Sequence, residues 1–155
     1  MRYFSILAFS AGLIVVLGSI PVAASDQNAV MATVHQFIDG INRGDMKMAA
    51  AACASPASIV DDFPPHEWQG PTACADWATG FVADNKKSGV TDVAVTLGKP
   101  WHDDISGDRA YVVVPADLTY KENAKPVTES GNVFTVALKK VAAGWRITGW
   151  AWAKH

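Results

Sequence analysis

The stretch GVTDVAVTLG, residues 89–98, marks the point at which the hydrophobic period of the chain changes. Beyond Asp92, large apolar residues occupy every second position, which is typical of a strand with one buried face. Segments 110–120, 133–139 and 145–153 show a similar alternation, and turn-forming residues separate them. Four long strands joined by short turns predict an antiparallel sheet in the C-terminal part of the chain.

The residues before this point have the period of helices. Gly44 ends the first helix, and Asp45 can cap the second. We expect the third helix to begin at Gly70-Pro71, because proline suits the first helical position. Three helices followed by a sheet predict an α+β fold, and Pro115 predicts an edge or a bulge in the second long strand. The apolar stripes of the three helices are Val30, Val34, Phe37, Ile38 and Ile41; Met46, Ala49, Ala50 and Cys53; and Cys74, Trp77, Ala78 and Phe81.

Residues 1–24 have the layout of a secretory signal peptide. Arg2 supplies a positive charge, an apolar run follows, and small residues offer a cleavage site near Ala24 or Ser25. The alternative is an uncleaved membrane anchor, but the run contains Gly and Ser and is close to the shortest that spans a bilayer. We therefore predict a secreted or periplasmic protein with one domain over residues 25–155 and no stable membrane association after cleavage.

The predicted mature chain is mildly acidic. Removing residues 1–24 takes away Arg2, so that 12 Lys and Arg face 15 Asp and Glu, a formal charge of −3. Basic residues form no cluster longer than a dipeptide. This charge pattern argues against nucleic acid as a partner and offers no basic surface for anionic membranes.

Cys53 and Cys74 are the two cysteines of the chain. Their midpoint falls at Phe63-Pro64, the expected turn of a short hairpin formed by residues 57–62 and 66–69. A hairpin brings the flanking chain together, and an exported protein meets an oxidising environment, so a disulfide is possible. The alternative is two unpaired small core residues, since both lie on apolar stripes.

The chain resembles the nuclear transport factor 2-like superfamily, in the style of its SnoaL-like and ketosteroid-isomerase-like group. The resemblance rests on FIDGINRGD (residues 37–45), ASIVDDFPPHEWQGPTACADWATGF (57–81) and AGWRITGWAWAKH (143–155). It implies helices packed in a strongly curved, cone-shaped antiparallel sheet, a cystatin-like roll, with a pocket at its open end. Members of the superfamily include isomerases, cyclases, dehydratases and binding domains, so the fold does not settle the activity.

The resemblance places Asp61 where the isomerases of the superfamily hold their proton-shuttling base. A partly apolar pocket raises the pKa of a carboxyl group toward the range useful for a base. The donors that stabilise an enolate in those isomerases are not matched, because Phe37 stands at the helix position and Asn132 is the side-chain amide near the late-strand position. The loss of one such donor costs about 100-fold or more in rate, which argues against steroid isomerisation of the usual kind.

Several residues have both a functional and a purely structural interpretation. Asp61 could be a base, a ligand-binding group or a strand-end residue that accepts hydrogen bonds from the turn. His66 could face it as a second acid–base group or lie exposed on an edge strand, and Trp68 could line a pocket or cover the core. The predicted pocket residues are Phe37, Asp61, Trp68 and Asn132.

His102, Asp103 and Asp104 resemble a group of metal ligands. Adjacent residues of a strand point to opposite faces, so His102 and Asp103 cannot easily share one ion. No second His or Cys group follows at ligand spacing, and we predict neither a metal site nor a bound cofactor.

The last strand carries apolar residues on both of its predicted faces. Trp145 and Ile147 belong to one face, and Trp150 and Trp152 to the other. One face can cover the core, whereas exposed aromatics on the other would need a ligand or a second subunit. We predict a homodimer that associates through the sheet.

Two functions remain open from the sequence. The first is an exported binding or assembly domain whose apolar pocket captures a small hydrophobic molecule. The second is a cofactor-independent isomerase or lyase that uses Asp61 as its general base. The sequence favours the first, because the donors needed around an enolate are missing.

Overall fold

The computed structural model describes residues 22–155, with side chains from residue 25 onward. The predicted cleavage site near Ala24 falls in the first turn of helix α1, and most of the predicted signal peptide lies outside the described residues. No helix within residues 22–155 is long and apolar enough to span a membrane. The elements are α1 (Val22–Asn42), α2 (Met46–Ala51), β1 (Cys53–Val60), β2 (Glu67–Gly70), α3 (Ala73–Ser88), β3 (Val90–Leu97), β4 (His102–Ser106), β5 (Arg109–Glu122), β6 (Lys125–Val141) and β7 (Gly144–Ala153).

The α+β prediction is confirmed, and the strands form one curved sheet in the order β2-β1-β7-β6-β5-β3, with β4 also paired to β5. All pairs are antiparallel except β1 and β7, which run parallel, so the sheet is mixed rather than wholly antiparallel. The sequence could not reveal this pair, because it joins the first and the last strand of the chain. The pairing places the end of β1 beside β7.

Helix α1 packs into the concave face of this sheet. All five residues of its predicted apolar stripe are buried, and the stripes of α2 and α3 add Ala49, Cys74, Trp77 and Ala78 to the same core. Two predicted boundaries differ from the structure. Cys53 begins β1 instead of ending α2, and α3 begins at Ala73, after Gly70 has ended β2 and Pro71-Thr72 has formed a turn.

The junction between α1 and α2 explains the spacing of FIDGINRGD. Gly40 allows close packing, since a Cβ there would lie 2.5 Å from the backbone nitrogen of Ala49. The Asn42 side chain donates to Val95 O (2.9 Å) and accepts from Val95 N–H (2.7 Å), which gives the free edge of β3 a substitute strand partner. Asp45 caps α2 by accepting from the Met48 N–H, as predicted.

Pro115 lies where β5 changes partners. On one side of it β5 pairs with β4 up to Val113, and on the other side it pairs with β3 from Ala116 onward. The register between β5 and β6 shifts between Ala116 and Leu118, which is a bulge. The prediction of an edge or bulge at Pro115 is confirmed, and such a bulge bends the strand.

Candidate functional site

Asp61 stands at the end of β1 with its carboxylate toward the interior. Ile59, two residues earlier and therefore on the same face, is fully buried, whereas Val60 on the opposite face is 50% exposed. The carboxylate accepts a hydrogen bond from Trp77 Nε1–H on α3 (2.8 Å) and another from the Asp62 backbone N–H (2.8 Å). Alternation along β1 thus directs Asp61 inward, and α3 supplies its side-chain donor.

The surroundings of Asp61 change its acidity. Burial raises the pKa of this carboxyl group to about 6 from an ordinary value of 3.8, and the hydrogen bonds from Trp77 and Asp62 oppose the rise. Desolvation disfavours the ionised form more strongly than the two donors favour it. A carboxyl group with this pKa can both accept and release a proton near neutral pH.

Asp61 lines an inner cavity of about 70 Å³ at one end of the core. The cavity can hold a few waters or one end of a small molecule, and it is much smaller than pockets that enclose a drug-sized ligand. Apart from Asp61 and Asp62, its walls are apolar: Ile38, Ile41, Phe63, Trp77, Phe81, Val93, Val95, Leu118, Trp150 and Trp152.

Aromatic side chains occupy the core next to this cavity. The ring centroids of Trp77 lie 5.4 Å from Phe37, 5.2 Å from Phe81 and 5.0 Å from Trp150. Trp150 is 5% exposed, and its Nε1–H has no hydrogen-bond partner among the described residues. A buried donor without a partner is destabilising, and this unpartnered indole N–H belongs to a residue of the cavity wall.

An outer pocket of about 270 Å³ adjoins the inner cavity and shares Asp62 with its wall. Its polar side carries a network that the sequence did not predict. Tyr120 donates from its hydroxyl to Glu129 (2.8 Å), and Lys154 Nζ lies 2.9 Å from Glu129 and 3.4 Å from Asp62. This network links β5, β6 and the residue after β7 to the turn that follows Asp61.

Of the four predicted pocket residues, Asp61 lines the inner cavity and the other three lie elsewhere. Phe37 is buried in the aromatic core, and Trp68 packs on the ring of Phe63 with centroids 4.9 Å apart. Asn132, 1% exposed, donates to Glu129 O and accepts from His155 N–H. None of these three forms a hydrogen bond with the Asp61 carboxylate, whose donors are Trp77 and the Asp62 N–H.

His66 is exposed on the turn between β1 and β2. Its Nδ1 lies 3.2 Å from the backbone oxygen of Asp61, and its own backbone oxygen accepts from the Asp61 N–H (3.1 Å). Both contacts involve the Asp61 backbone and neither involves the carboxylate. His66 therefore hydrogen-bonds within the turn, and Trp77 is the side chain that hydrogen-bonds to the Asp61 carboxylate.

The faces predicted for the last strand are corrected by a bulge in β7. Leu138 of β6 pairs with Ile147, but the next residue of β6 pairs with Gly149, so Thr148 is an extra residue. The insertion reverses the alternation, and Trp150 and Trp152 line the cavity on the inner side. These aromatics are therefore not the exposed surface on which the dimer prediction was based.

Cys53 and Cys74 form a disulfide, with their Cα atoms 6.5 Å apart. The bond joins the first residue of β1 to the second residue of α3. Because β1 carries Asp61 and α3 carries Trp77, this cross-link holds together the two elements that position the carboxylate and its donor.

Residues 102–104 do not converge on one point. His102 Nδ1 lies 3.9 Å from Asp104 Oδ2, two residues further along β4, and both side chains are well exposed. Asp103 has the opposite orientation in the strand. Within residues 22–155, no three His, Cys, Asp or Glu side chains are placed to hold a metal ion.

Sequence reasoning missed Trp77, Trp150, Glu129 and Lys154 as parts of the site. Trp77 belongs to the apolar stripe of the third helix and Trp150 to one predicted face of the last strand, and only their indole N–H groups, which need a partner when buried, hinted at a polar role. Glu129 and Lys154 carried no local signal, since their contact depends on the β6–β7 pairing.

Solved structures match the chain in fold, whereas no protein-family model and no curated protein sequence matches it. A nuclear transport factor 2-like superfamily protein from Salmonella enterica has a TM-score of 0.72 at 13% identity, over 85% of this chain and 92% of its own. A cystatin-like-fold protein of the same kind from Novosphingobium aromaticivorans gives 0.70 at 14% over 89% and 91%, and a ketosteroid isomerase-like protein from Erwinia carotovora gives 0.67 at 17% over 83% and 95%. The chain therefore has the nuclear transport factor 2-like fold.

Proposed function

We propose that the protein binds a small hydrophobic molecule, with the apolar end of the ligand in the inner cavity beside Asp61. The observation that carries the proposal is a largely apolar cavity with one buried carboxyl group, whose pKa is raised to about 6, in its wall. The cavity volume of about 70 Å³ limits the enclosed part of the ligand to a few heavy atoms.

A second candidate is a cofactor-independent isomerase or lyase with Asp61 as its general base. Two observations favour it: the raised pKa of Asp61 and the unpartnered indole N–H of Trp150 in the same cavity wall. A base and a hydrogen-bond donor are what proton abstraction next to a carbonyl group requires. Trp150 would then act in place of the donors that are not matched at Phe37 and on the late strand.

Ligand binding and turnover can be separated with Asp61→Asn. Small ketones, aromatic alcohols and short fatty acids would be tested by thermal shift and by native mass spectrometry against both proteins. Binding without turnover in the wild type supports the binding domain, whereas turnover that disappears in Asp61→Asn while binding remains supports the enzyme. Failure of every compound to shift the melting temperature or to appear as a complex would contradict both.

We also propose that the protein is exported. The support is the Cys53–Cys74 disulfide, since stable disulfides form in oxidising compartments, together with the sequence of residues 1–24. Mass spectrometry of the protein isolated from its own cells tests the proposal, because export with processing predicts an N-terminus near Ser25 and a mass lower by two hydrogens for the bond. A mature protein that retains residues 1–24 in the cytoplasm would refute it.

We propose, in addition, a homodimer formed by the convex face of the sheet. The register places Val60, Ala151, Thr135 and Val113 in one uncharged row across four strands, and the 47% exposed Tyr111 lies beside it. An uncharged face of this kind suits association with a second copy. Size-exclusion chromatography with light scattering should give twice the monomer mass, and Tyr111→Glu, at a 47% exposed position of this face, should give the monomer; a monomeric wild type at 100 μM, roughly the upper range for weak dimers, would exclude it.

A further inference from the structure

Phe63 lies on the turn between β1 and β2 and packs against side chains from two other elements. Its ring centroid is 4.9 Å from that of Trp68 and 6.1 Å from that of Phe81. The ring also lies against Gly80 on α3, where a Cβ would be in ordinary van der Waals contact with Phe63 Cε2 at 3.4 Å. The ring therefore occupies a defined position between the turn and α3.

This position lies at the boundary between the inner cavity and the outer pocket. Phe63 lines both spaces, together with Asp62, Phe81, Val93 and Leu118. The inner space is about 70 Å³ and the outer space about 270 Å³. A ligand that extends from the inner cavity into the outer pocket must therefore pass the shared wall that contains Phe63.

Among the apolar residues of the shared wall, Phe63 is the one whose backbone belongs to no helix or strand. Phe81 belongs to α3, Val93 to β3 and Leu118 to β5, so their movement would disturb a helix or the sheet. Phe63 lies outside the β1–β2 ladder, in a turn where its carbonyl oxygen accepts from the His66 N–H (2.9 Å). The neighbouring residue Asp62 also restrains the turn, through a solvent-exposed ion pair with Lys154 at 3.4 Å. Exposed ion pairs of this kind contribute little to stability.

We propose that Phe63 determines which ligands the protein accepts, by separating the inner cavity from the outer pocket. The inference rests on the proposed binding function and adds the ligand class: compact molecules with a short apolar end and one oxygen acceptor. Longer apolar chains are excluded while the ring stays in place. Removal of the ring joins the two spaces and admits chains that extend along Phe81 and Leu118.

The test uses linear 2-alkanones from 2-butanone to 2-undecanone, titrated by calorimetry against wild type, Phe63→Ala and Phe63→Leu. Each methylene buried in an apolar site tightens binding about fourfold. In the wild type we expect the affinity to rise over the first members of the series and then to stay constant as the chain lengthens. In Phe63→Ala the affinity continues to rise for longer chains. Phe63→Leu keeps apolar contact with Trp68 and Phe81, so its affinity should stop rising at an intermediate chain length.

Val82→Ala is the matched control, because it shortens an apolar side chain that is 53% exposed on α3, away from the convex face of the sheet and outside the walls of both spaces. It should give the wild-type plateau, and far-UV circular dichroism should show that every variant is folded. Equal chain-length dependence in wild type, Phe63→Ala and Phe63→Leu would overturn the role of Phe63 while leaving the binding proposal in place. Absence of binding of every ketone to every folded protein would overturn the binding proposal and, with it, this inference.

Discussion

Replacing Asp61 by asparagine should make the protein more stable at pH 8 and no more stable at pH 4. In the folded protein burial raises the pKa of this carboxyl group to about 6, against an ordinary value of 3.8. The folded state therefore binds the proton more tightly than the unfolded state. The stability that Asp61 contributes is fully present below about pH 4 and is lost as the pH rises through about 6.

The magnitude follows from the shift. One pKa unit corresponds to 1.36 kcal/mol, so ionised Asp61 costs the folded state about 3 kcal/mol at pH 8 relative to the protonated group. Asparagine avoids that cost, but one of its two polar atoms is an amide nitrogen, which cannot accept the hydrogen bond from Trp77 or from the Asp62 N–H. A donor left unsatisfied there costs about 1 kcal/mol. The net gain at pH 8 is about 2 kcal/mol, and at pH 4 the variant should be about 1 kcal/mol less stable.

The assay is urea unfolding followed by tryptophan fluorescence at pH 4, 5, 6, 7 and 8, with the disulfide intact. The measured quantity is the difference in unfolding free energy between wild type and variant at each pH, which removes the contribution of the other titrating groups. Asp39→Asn makes the same acid-to-amide change at an exposed position of α1 and should leave the pH profile within about 0.5 kcal/mol of wild type. Parallel profiles for wild type and Asp61→Asn would refute the reasoning.

Three further substitutions test the elements that hold the site. Asn42→Ala should lower the unfolding free energy by about 2 kcal/mol, because the N–H and C=O of Val95 lose both partners; an unchanged urea midpoint would contradict this. Gly40→Ala should destabilise the protein by about 1 to 2 kcal/mol, because the new Cβ would lie 2.5 Å from the Ala49 nitrogen of α2 and this clash outweighs the helix-propensity gain of about 1 kcal/mol. A variant that is more stable than wild type in urea unfolding would show that α2 shifts to make room. Replacing both Cys53 and Cys74 by alanine should cost about 3 kcal/mol from loop-closure entropy across 21 residues, and a loss below about 1 kcal/mol in urea unfolding would speak against that estimate.

Local pattern predicted much of the fold. The structure confirms four features that depend on residues close together in sequence: the helical stripe of α1, the period-two strands, the Asp45 cap and the interruption at Pro115. The parallel β1–β7 pair was not accessible, because no local period records which distant strand becomes a neighbour. The sequence placed Trp150 and Trp152 on the wrong face because of one extra residue, Thr148. Side chains of a strand alternate between its two faces, so a single inserted residue moves all following side chains to the opposite face.

The candidate site was predictable only at the residue that ends a strand. The resemblance singled out Asp61 at the end of β1, but whether its side chain points inward stayed open in the sequence. Its side-chain partner Trp77 comes from α3, and the network beyond it comes from three strands. These contacts exist only after the sheet has curved round the helices, which is why the sequence suggested His66, the nearest histidine along the turn.

The bulge in β7 connects the fold to the size of the ligand. Had the strand continued its alternation, Trp150 and Trp152 would have faced away from the core, and the space beside Asp61 would have been larger and more open to water. Instead their indoles form part of the cavity wall, which leaves about 70 Å³ and largely apolar walls around the carboxyl group. The same insertion therefore narrows the space for a ligand and contributes to the burial that raises the pKa of Asp61. Deletion of Thr148 should reverse both effects together, whereas substitutions on the convex face should change neither.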